Sequence, residues 1–280
     1  MSQPRSWLFV PADSERKIAK ALDSEADAII FDLEDSVVPA QKGAARDVLR
    51  NLAKRSGGPE WWVRVNPIGS EFHKDDLHLI GVADIRGIVL PKAESGADVT
   101  RLAHRTGNIP IHAIVTETAA SLFALLSYRD PNSPLAAMSW GAEDLSAALG
   151  ASSKYDASGE LSFTYKLARS LCLAGAVAAG VQPVDGVFAD FQNEEGLRAE
   201  AEAARREGFT GKLAIHPAQV PVINAAFSPS DDDLRHAEEI VAAFEAHPNA
   251  GTLSVGGRMV DRPHLMQARR VLERAVRQDA

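Results

Sequence analysis

Short apolar runs, rich in β-branched and aromatic residues, recur along the chain, and longer stretches of helical periodicity separate them. The runs read as strands over Ser6–Val10, Ala28–Asp32, Trp61–Val65, Gly87–Leu90, Ile111–Thr116, Ala136–Trp140, Asp185–Phe188 and Lys212–Ile215. They alternate little between apolar and polar, which is the pattern of parallel strands buried on both faces. The stretches between them carry helix punctuation. Ser14–Ser24 follows Asp13 as a cap, and Pro39–Lys54 begins with proline and stops at Ser56-Gly57-Gly58. Ser95–Arg105 opens with Ser95-x-x-Asp98 and closes at Gly107; Glu194–Glu207 is capped by Asn193 and closed by Gly208. Asp231–Ala246 opens with Ser230-x-x-Asp233. Eight β–α units over about 230 residues predict a closed (β/α)8 TIM barrel. The barrel is expected over residues 1–228, with a C-terminal helical extension over 229–280. A doubly wound open sheet is the alternative. It would carry a glycine-rich phosphate turn after the first strand, where this chain has Pro11-Ala12-Asp13-Ser14.

Composition narrows the function classes. The 280 residues are 45% apolar and 24% charged, with a formal charge of −8. That charge argues against a general nucleic-acid or anionic-membrane binder. The single cysteine, Cys172, lies in the apolar run Leu171-Cys172-Leu173-Ala174, so neither an intrachain disulfide nor a zinc–thiolate cluster is available. The N-terminal Met1-Ser2-Gln3-Pro4-Arg5 leads directly into a strand without a signal-peptide core, and no apolar stretch is long enough to span a bilayer. A cytoplasmic location is the expectation. P-loop, HExxH and G-x-S-x-G motifs are absent.

In a TIM barrel the chemistry sits at the C-terminal ends of the strands. Here those ends read Asp32-Leu33-Glu34-Asp35, Arg64 with Asn66-Pro67, Pro91-Lys92, Glu117-Thr118, Gly141-Ala142-Glu143-Asp144 and His216-Pro217. Apolar packing explains none of these charges. Mg²⁺ takes oxygen ligands, with one or two carboxylates and the remaining positions filled by water or substrate. Glu117 and Asp144, on adjacent strand ends, suit that demand. Position alone weighs this equally against Asp144 as a helix cap and Glu117 as a solvated turn residue. Asp32 and Asp35 also read as turn acids. Arg64 lies inside Trp62-Val63-Arg64-Val65, where an unpaired charge is costly, so it must meet an anion. His216 reads as a hydrogen-bonded structural residue, and histidines 73, 78, 104, 236 and 247 read as surface residues.

These strand ends carry a family resemblance. The stretches are Arg5-Ser-Trp-Leu-Phe-Val-Pro11, Phe31-Asp-Leu-Glu-Asp-Ser-Val37, Val63-Arg-Val-Asn-Pro67, Gly87-Ile-Val-Leu-Pro-Lys92, Glu117-Thr118, Gly141-Ala-Glu-Asp-Leu145, Ala214-Ile-His-Pro217 and Gly257-Arg-Met-Val-Asp-Arg-Pro-His264. In this order, and over nearly the whole chain, they resemble the citrate lyase β subunit and the malyl-CoA and citramalyl-CoA lyases. These belong to the wider HpcH–HpaI group of metal-dependent aldolases acting on 2-oxo acids.

The resemblance implies a carbon–carbon lyase acting on a 3-hydroxyacyl thioester of coenzyme A or an acyl carrier, with a 2-oxo acid as the second product. It implies Glu117 and Asp144 as ligands of Mg²⁺, with Mn²⁺ as the alternative. Arg64 would meet the substrate carbonyl or carboxylate, and Asp32 and Asp35 would lie near metal-bound water. Asp261, on the C-terminal segment, would close over a neighbouring subunit's site, which implies a homo-oligomer, often a trimer. Arg16 and Lys20 match basic positions that meet coenzyme A phosphates in some relatives, and their i, i+4 spacing puts both on one helix face. A solvated face explains that pair nearly as well. Hydrolysis of the thioester, and aldol cleavage of a free hydroxy-oxo acid, are the competing readings.

Overall fold

Eight short strands pair in parallel and in chain order, and the first closes onto the last. A computed structural model describes residues 3–52, 57–81 and 83–278. In chain order the elements begin with β1 (Ser6–Pro11), α1 (Glu15–Leu22), β2 (Ala28–Asp32), α2 (Lys42–Asn51) and β3 (Glu60–Arg64). Then come a single turn α3 (His73–Asp76), β4 (Gly87–Leu90), α4 (Gly96–Thr106), β5 (Ile111–Ile114), β6 (Leu135–Ser139), α5 (Ala142–Leu149) and α6 (Phe163–Ala179). The series ends with β7 (Gln182–Asp185), α7 (Glu194–Glu207), β8 (Gly211–Ala214), α8 (Val220–Phe227), α9 (Asp231–Ala246), β9 (Thr252–Val255), β10 (Arg258–Asp261) and α10 (Arg262–Gln278). Closure is made where Ser6, Trp7 and Leu8 of β1 pair with Lys212, Leu213 and Ala214 of β8. The predicted TIM barrel is the observed fold.

Alternation decides what fills it. Trp7, Ala28, Ile30, Trp62, Val89, Ile114, Ala137, Val184 and Leu213 form one interior cluster. Their neighbours along the strands, such as Leu8, Ile29, Ile88, Ala113 and Met138, are equally buried. Both faces are therefore apolar, which is why the strands show so little alternation. His112 is fully buried in β5, with its ring edge-on to Trp7 at 4.7 Å, and neither ring nitrogen has a hydrogen-bond partner. Burial drives its pKa down to about 3, so it is neutral.

Two of these expectations are corrected. Strand β7 is Gln182–Asp185, not Asp185–Phe188. Pro183 pairs with Met138 and uses its carbonyl to accept from the Thr210 N–H at 3.0 Å. A proline fits a ladder wherever its missing donor is not needed. His73 is buried, with Nδ1 2.7 Å from the Asn66 carbonyl, and is not a surface residue. The end predicted for the second helix, including Lys54 and Ser56, lies outside the described residues.

The chain divides into two compact units, the barrel over Gln3–Asn224 and a second unit from Ala225 onward. The second is not purely helical. It joins α9 and α10 to an antiparallel ribbon, β9–β10, in which Asp261 pairs with Thr252. Gly256 and Gly257 turn the ribbon with φ of 57° and 77°, a backbone that glycine adopts without penalty. Ala237, Ile240, Phe244, Val255, Val260, Leu265 and Ala268 form its core. Among the described residues, no helix is long and apolar enough to cross a membrane.

Candidate active site

The register of β2 and β3 places Asp32 beside Arg64 at the C-terminal rim. Arg64 donates to Asp32 through Nε and Nη2, both at 2.7 Å. Asp32 also accepts from the backbone N–H of Glu34 at 2.8 Å and of Ser36 at 3.1 Å. Burial alone would lift the Asp32 carboxyl, but the Arg64 contacts outweigh it and hold the group below the ordinary carboxylate range. The guanidinium stays protonated despite its own burial. It also lies 4.7 Å from the Phe9 ring centroid, and its Nη1 is 3.0 Å from Glu34 Oε2. Asp32 is thus the anion that Arg64 required, and not a solvated turn acid.

Lys92 follows β4 and draws the remaining carboxylates together. Its ammonium is 2.5 Å from Glu34 Oε1, 3.2 Å from Asp144 Oδ1 and 3.7 Å from Asp35 Oδ2. Its backbone N–H donates to Glu117 Oε2 at 2.5 Å. Glu117 is 4% exposed, which rejects the solvated-turn reading. Burial pushes its carboxyl up to about 8, and the nearby charges of Asp144 and Glu34 add to the rise, against the opposing pull of the Lys92 N–H. Asp144 lies in the first turn of α5 but makes no capping bond, and Gly141 occupies the cap position. The cap reading of Asp144 therefore fails as well.

Backbone packing holds these groups in place. A Cβ on Gly141 would stand 2.8 Å from Glu117 Cγ, so only glycine permits the β6–α5 turn to press on that side chain. Trp140, just before it, donates from Nε1 to Asp185 Oδ1 at 2.8 Å. Lys42 is buried and donates to the carbonyls of Leu33 and Glu34 at 2.7 and 3.0 Å, which fixes the loop carrying Glu34 and Asp35.

Sequence reasoning assigned no role to Glu34 or Lys92, although both were visible at strand ends. Glu34 is 4% exposed, and burial lifts its carboxyl in spite of Arg64 and Lys92. Asp35 sits at the edge with its side chain 59% exposed, 3.9 Å from Arg64 Nη1. Arg16 and Lys20 are exposed on α1 and line a cleft of about 860 Å³, together with Lys17, Phe9, His216 and Pro217. His216 accepts at Nδ1 from the Ala218 N–H, as expected, and stacks on Phe191 at 4.7 Å. Asp261 belongs to the second unit, where its Oδ1 is 2.5 Å from His264 Nδ1. That contact holds its carboxyl below the usual range.

Among the described residues, no three His, Cys, Asp or Glu side chains form a cluster able to hold a metal ion. Mg²⁺ needs no such cage, because one or two carboxylates suffice when water and substrate complete the shell. Glu117 and Asp144 fit it on the chemistry of this rim. A buried carboxyl lifted to about 8 is an acid with too little positive charge around it.

Residues 5–217 match the HpcH/HpaI aldolase/citrate lyase family. The chain belongs to that family. It is 36% identical over 275 residues to a (3S)-malyl-CoA thioesterase of Cereibacter sphaeroides, covering 97% of this chain and 94% of the relative. It is 39% identical over 270 residues to the citrate lyase subunit beta-like protein of Mycobacterium tuberculosis, covering 96% and 94%. The crystal structure of CitE from M. tuberculosis, in complex with magnesium, acetoacetate and coenzyme A, superimposes with a TM-score of 0.85 at 37% identity and covers 98% of both chains.

Proposed function

We propose that this protein is a Mg²⁺-dependent carbon–carbon lyase of the citrate lyase β type, which cleaves or forms a 3-hydroxyacyl thioester such as citryl-, citramalyl- or malyl-CoA. One observation carries the reading: the buried Glu117 carboxyl, lifted to about 8, shares a barrel rim with Asp144 and Arg64. Mg²⁺ (or Mn²⁺) held by Glu117 and Asp144 would supply Lewis acidity at the substrate's hydroxyl and carboxylate oxygens. Arg64, preorganised by Asp32, offsets negative charge on the substrate oxygen, an effect commonly worth about 3–4 kcal/mol per donor. In cleavage the hydroxyl loses its proton, its electrons form the 2-oxo carbonyl, and the broken C–C pair passes to the α-carbon of the acetyl thioester. Asp35, beside Glu34 and Lys92 at the rim edge, takes the hydroxyl proton through water. Asp261 gives a proton to the α-carbon, or removes one in condensation. The family resemblance supports its acting on a neighbouring subunit's site in a cytoplasmic homo-oligomer such as a trimer. Arg16, Lys17 and Lys20 bring three positive charges to their cleft, against Asp23 and Glu25, and these are the groups that would meet the phosphates of coenzyme A. The magnesium and coenzyme A in the M. tuberculosis CitE complex support the cofactor and the carrier.

A second reading is hydrolysis of the same thioester, favoured by the relatives named (3S)-malyl-CoA thioesterase. Product analysis with a panel of hydroxyacyl-CoA substrates, with and without Mg²⁺, separates the two. Acetyl-CoA plus a 2-oxo acid supports the lyase, while free CoA plus an intact hydroxydiacid supports the thioesterase. If CoA fails to compete while pyruvate binds, the protein is an aldolase of free hydroxy-oxo acids. Full activity in Glu117→Ala or Asp144→Ala would overturn the metal assignment.

A further inference from the structure

Among the described residues, Lys92 alone, glycines aside, has a left-handed backbone, with φ of 51°. That conformation is strained for a lysine and persists only where its surroundings enforce it. It lets one residue face two ways. The N–H reaches Glu117, while the side chain turns to Glu34 and Asp144. Three carboxylates, from Glu34, Asp35 and Asp144, lie within 3.7 Å of the ammonium. Glu34 is buried and Asp144 and Lys92 are partly so, and carboxylates brought this close repel one another unless a cation lies between them.

We propose that the Lys92 ammonium is the built-in counter-ion of this rim, that it competes with the divalent cation for Asp144, and that metal binding hands it over to Glu34 and Asp35. The inference rests on the reading of Glu117 and Asp144 as the metal-holding pair. Two cations drawn to one carboxylate repel strongly, even at an effective dielectric of about 20. Lys92 therefore offsets part of the rim's negative charge without metal, and the metal affinity is set below what the carboxylates alone would give.

The test titrates Mg²⁺ by calorimetry into the substrate-free full chain of wild type, Lys92→Gly, Lys92→Gln and Glu117→Gln, with thermal melts in the presence and absence of Mg²⁺. Glycine adopts the left-handed backbone freely, so the N–H to Glu117 survives while the side chain and its ammonium are lost. Glutamine keeps most of the stem. Both Lys92 variants are expected to bind Mg²⁺ on the order of tenfold tighter than wild type, as removal of one screened positive charge should allow, and to show a larger Mg²⁺-induced rise in Tm. A variant that folds only with Mg²⁺ is the same result in its extreme form. Equal or weaker Mg²⁺ binding in both Lys92 variants, with binding lost in Glu117→Gln, overturns the counter-ion role and leaves the metal pair standing. Wild-type Mg²⁺ binding by Glu117→Gln overturns the metal reading, and this inference with it.

Discussion

Replacing Asp185 by asparagine would remove one negative charge from a place where two positive ones are buried. Asp185 Oδ2 accepts from Lys212 Nζ at 2.8 Å, and Oδ1 accepts from Arg169 Nε and Trp140 Nε1, both at 2.8 Å. The Lys212 and Asp185 side chains are 0% and 1% exposed. Lys212 retains Glu200 at 2.7 Å and the Gly186 carbonyl at 2.8 Å, and Arg169 retains Glu207. Breaking one member of a buried pair costs about 3–5 kcal/mol, and the surviving partners favour the lower end. The carboxyl gives an independent figure. Burial opposes its charge, but Lys212 and Arg169 hold it at about 2 against an ordinary 3.8. A depression of nearly two pH units corresponds to roughly 2–3 kcal/mol. The expected loss is therefore about 3 kcal/mol, or a Tm lower by about 6–10 °C in a chain of this size. The sign of the pH dependence follows from the depressed pKa. The contribution is complete above the unfolded-state value near 3.8 and vanishes as pH falls through about 2. Urea or thermal melts of wild type and Asp185→Asn at pH 6 and pH 3 should show a gap that narrows at the lower pH. A loss below about 1 kcal/mol at pH 6, or a gap that widens toward pH 3, would refute the reasoning.

Gly141→Ala should drive a methyl group into Glu117, costing about 1–3 kcal/mol and weakening Mg²⁺ binding in calorimetry; an unchanged affinity would detach the turn from the metal pair. His112→Leu replaces a neutral, unpartnered ring by an apolar side chain of similar size, so Tm should hold or rise, and a loss above about 2 kcal/mol would reveal a partner the ring depends on. Arg16→Ala with Lys20→Ala should raise KM for a CoA thioester with little change in kcat, because both residues lie on the exposed face of α1; a fall in kcat alone would place them in the chemistry.

The barrel was legible because its signals are local. Apolar runs at strand length, and caps such as Asn193, whose side chain accepts from Gly196 N–H, repeat in the sequence at the spacing of β–α units. Asn193 and Gly208 bound a helix observed over the same residues as predicted, Glu194–Glu207. Strand β7 begins at Gln182 and includes Pro183, a residue that disfavours strands locally and whose tolerance depends on which neighbour asks for a donor. The C-terminal ribbon has a readable sign in Gly256-Gly257 between apolar runs.

At the rim, the chain by itself determined which residue types arrive at the strand ends, since period and punctuation set where each strand stops. It also determined the family, whose motifs lie in order along it. What it left undecided was the state of each group. Glu117 could be solvated or buried, Asp144 a cap or a free carboxylate, Asp32 a turn acid or the partner of Arg64. Those alternatives differ only in burial and in contacts between distant segments. Asp32 and Arg64 are 32 residues apart, and Lys92 and Glu34 are 58 apart. Desolvation and pairing are properties of the closed barrel, so only the tertiary structure could lift Glu117 toward neutrality and bring Lys92 among the carboxylates.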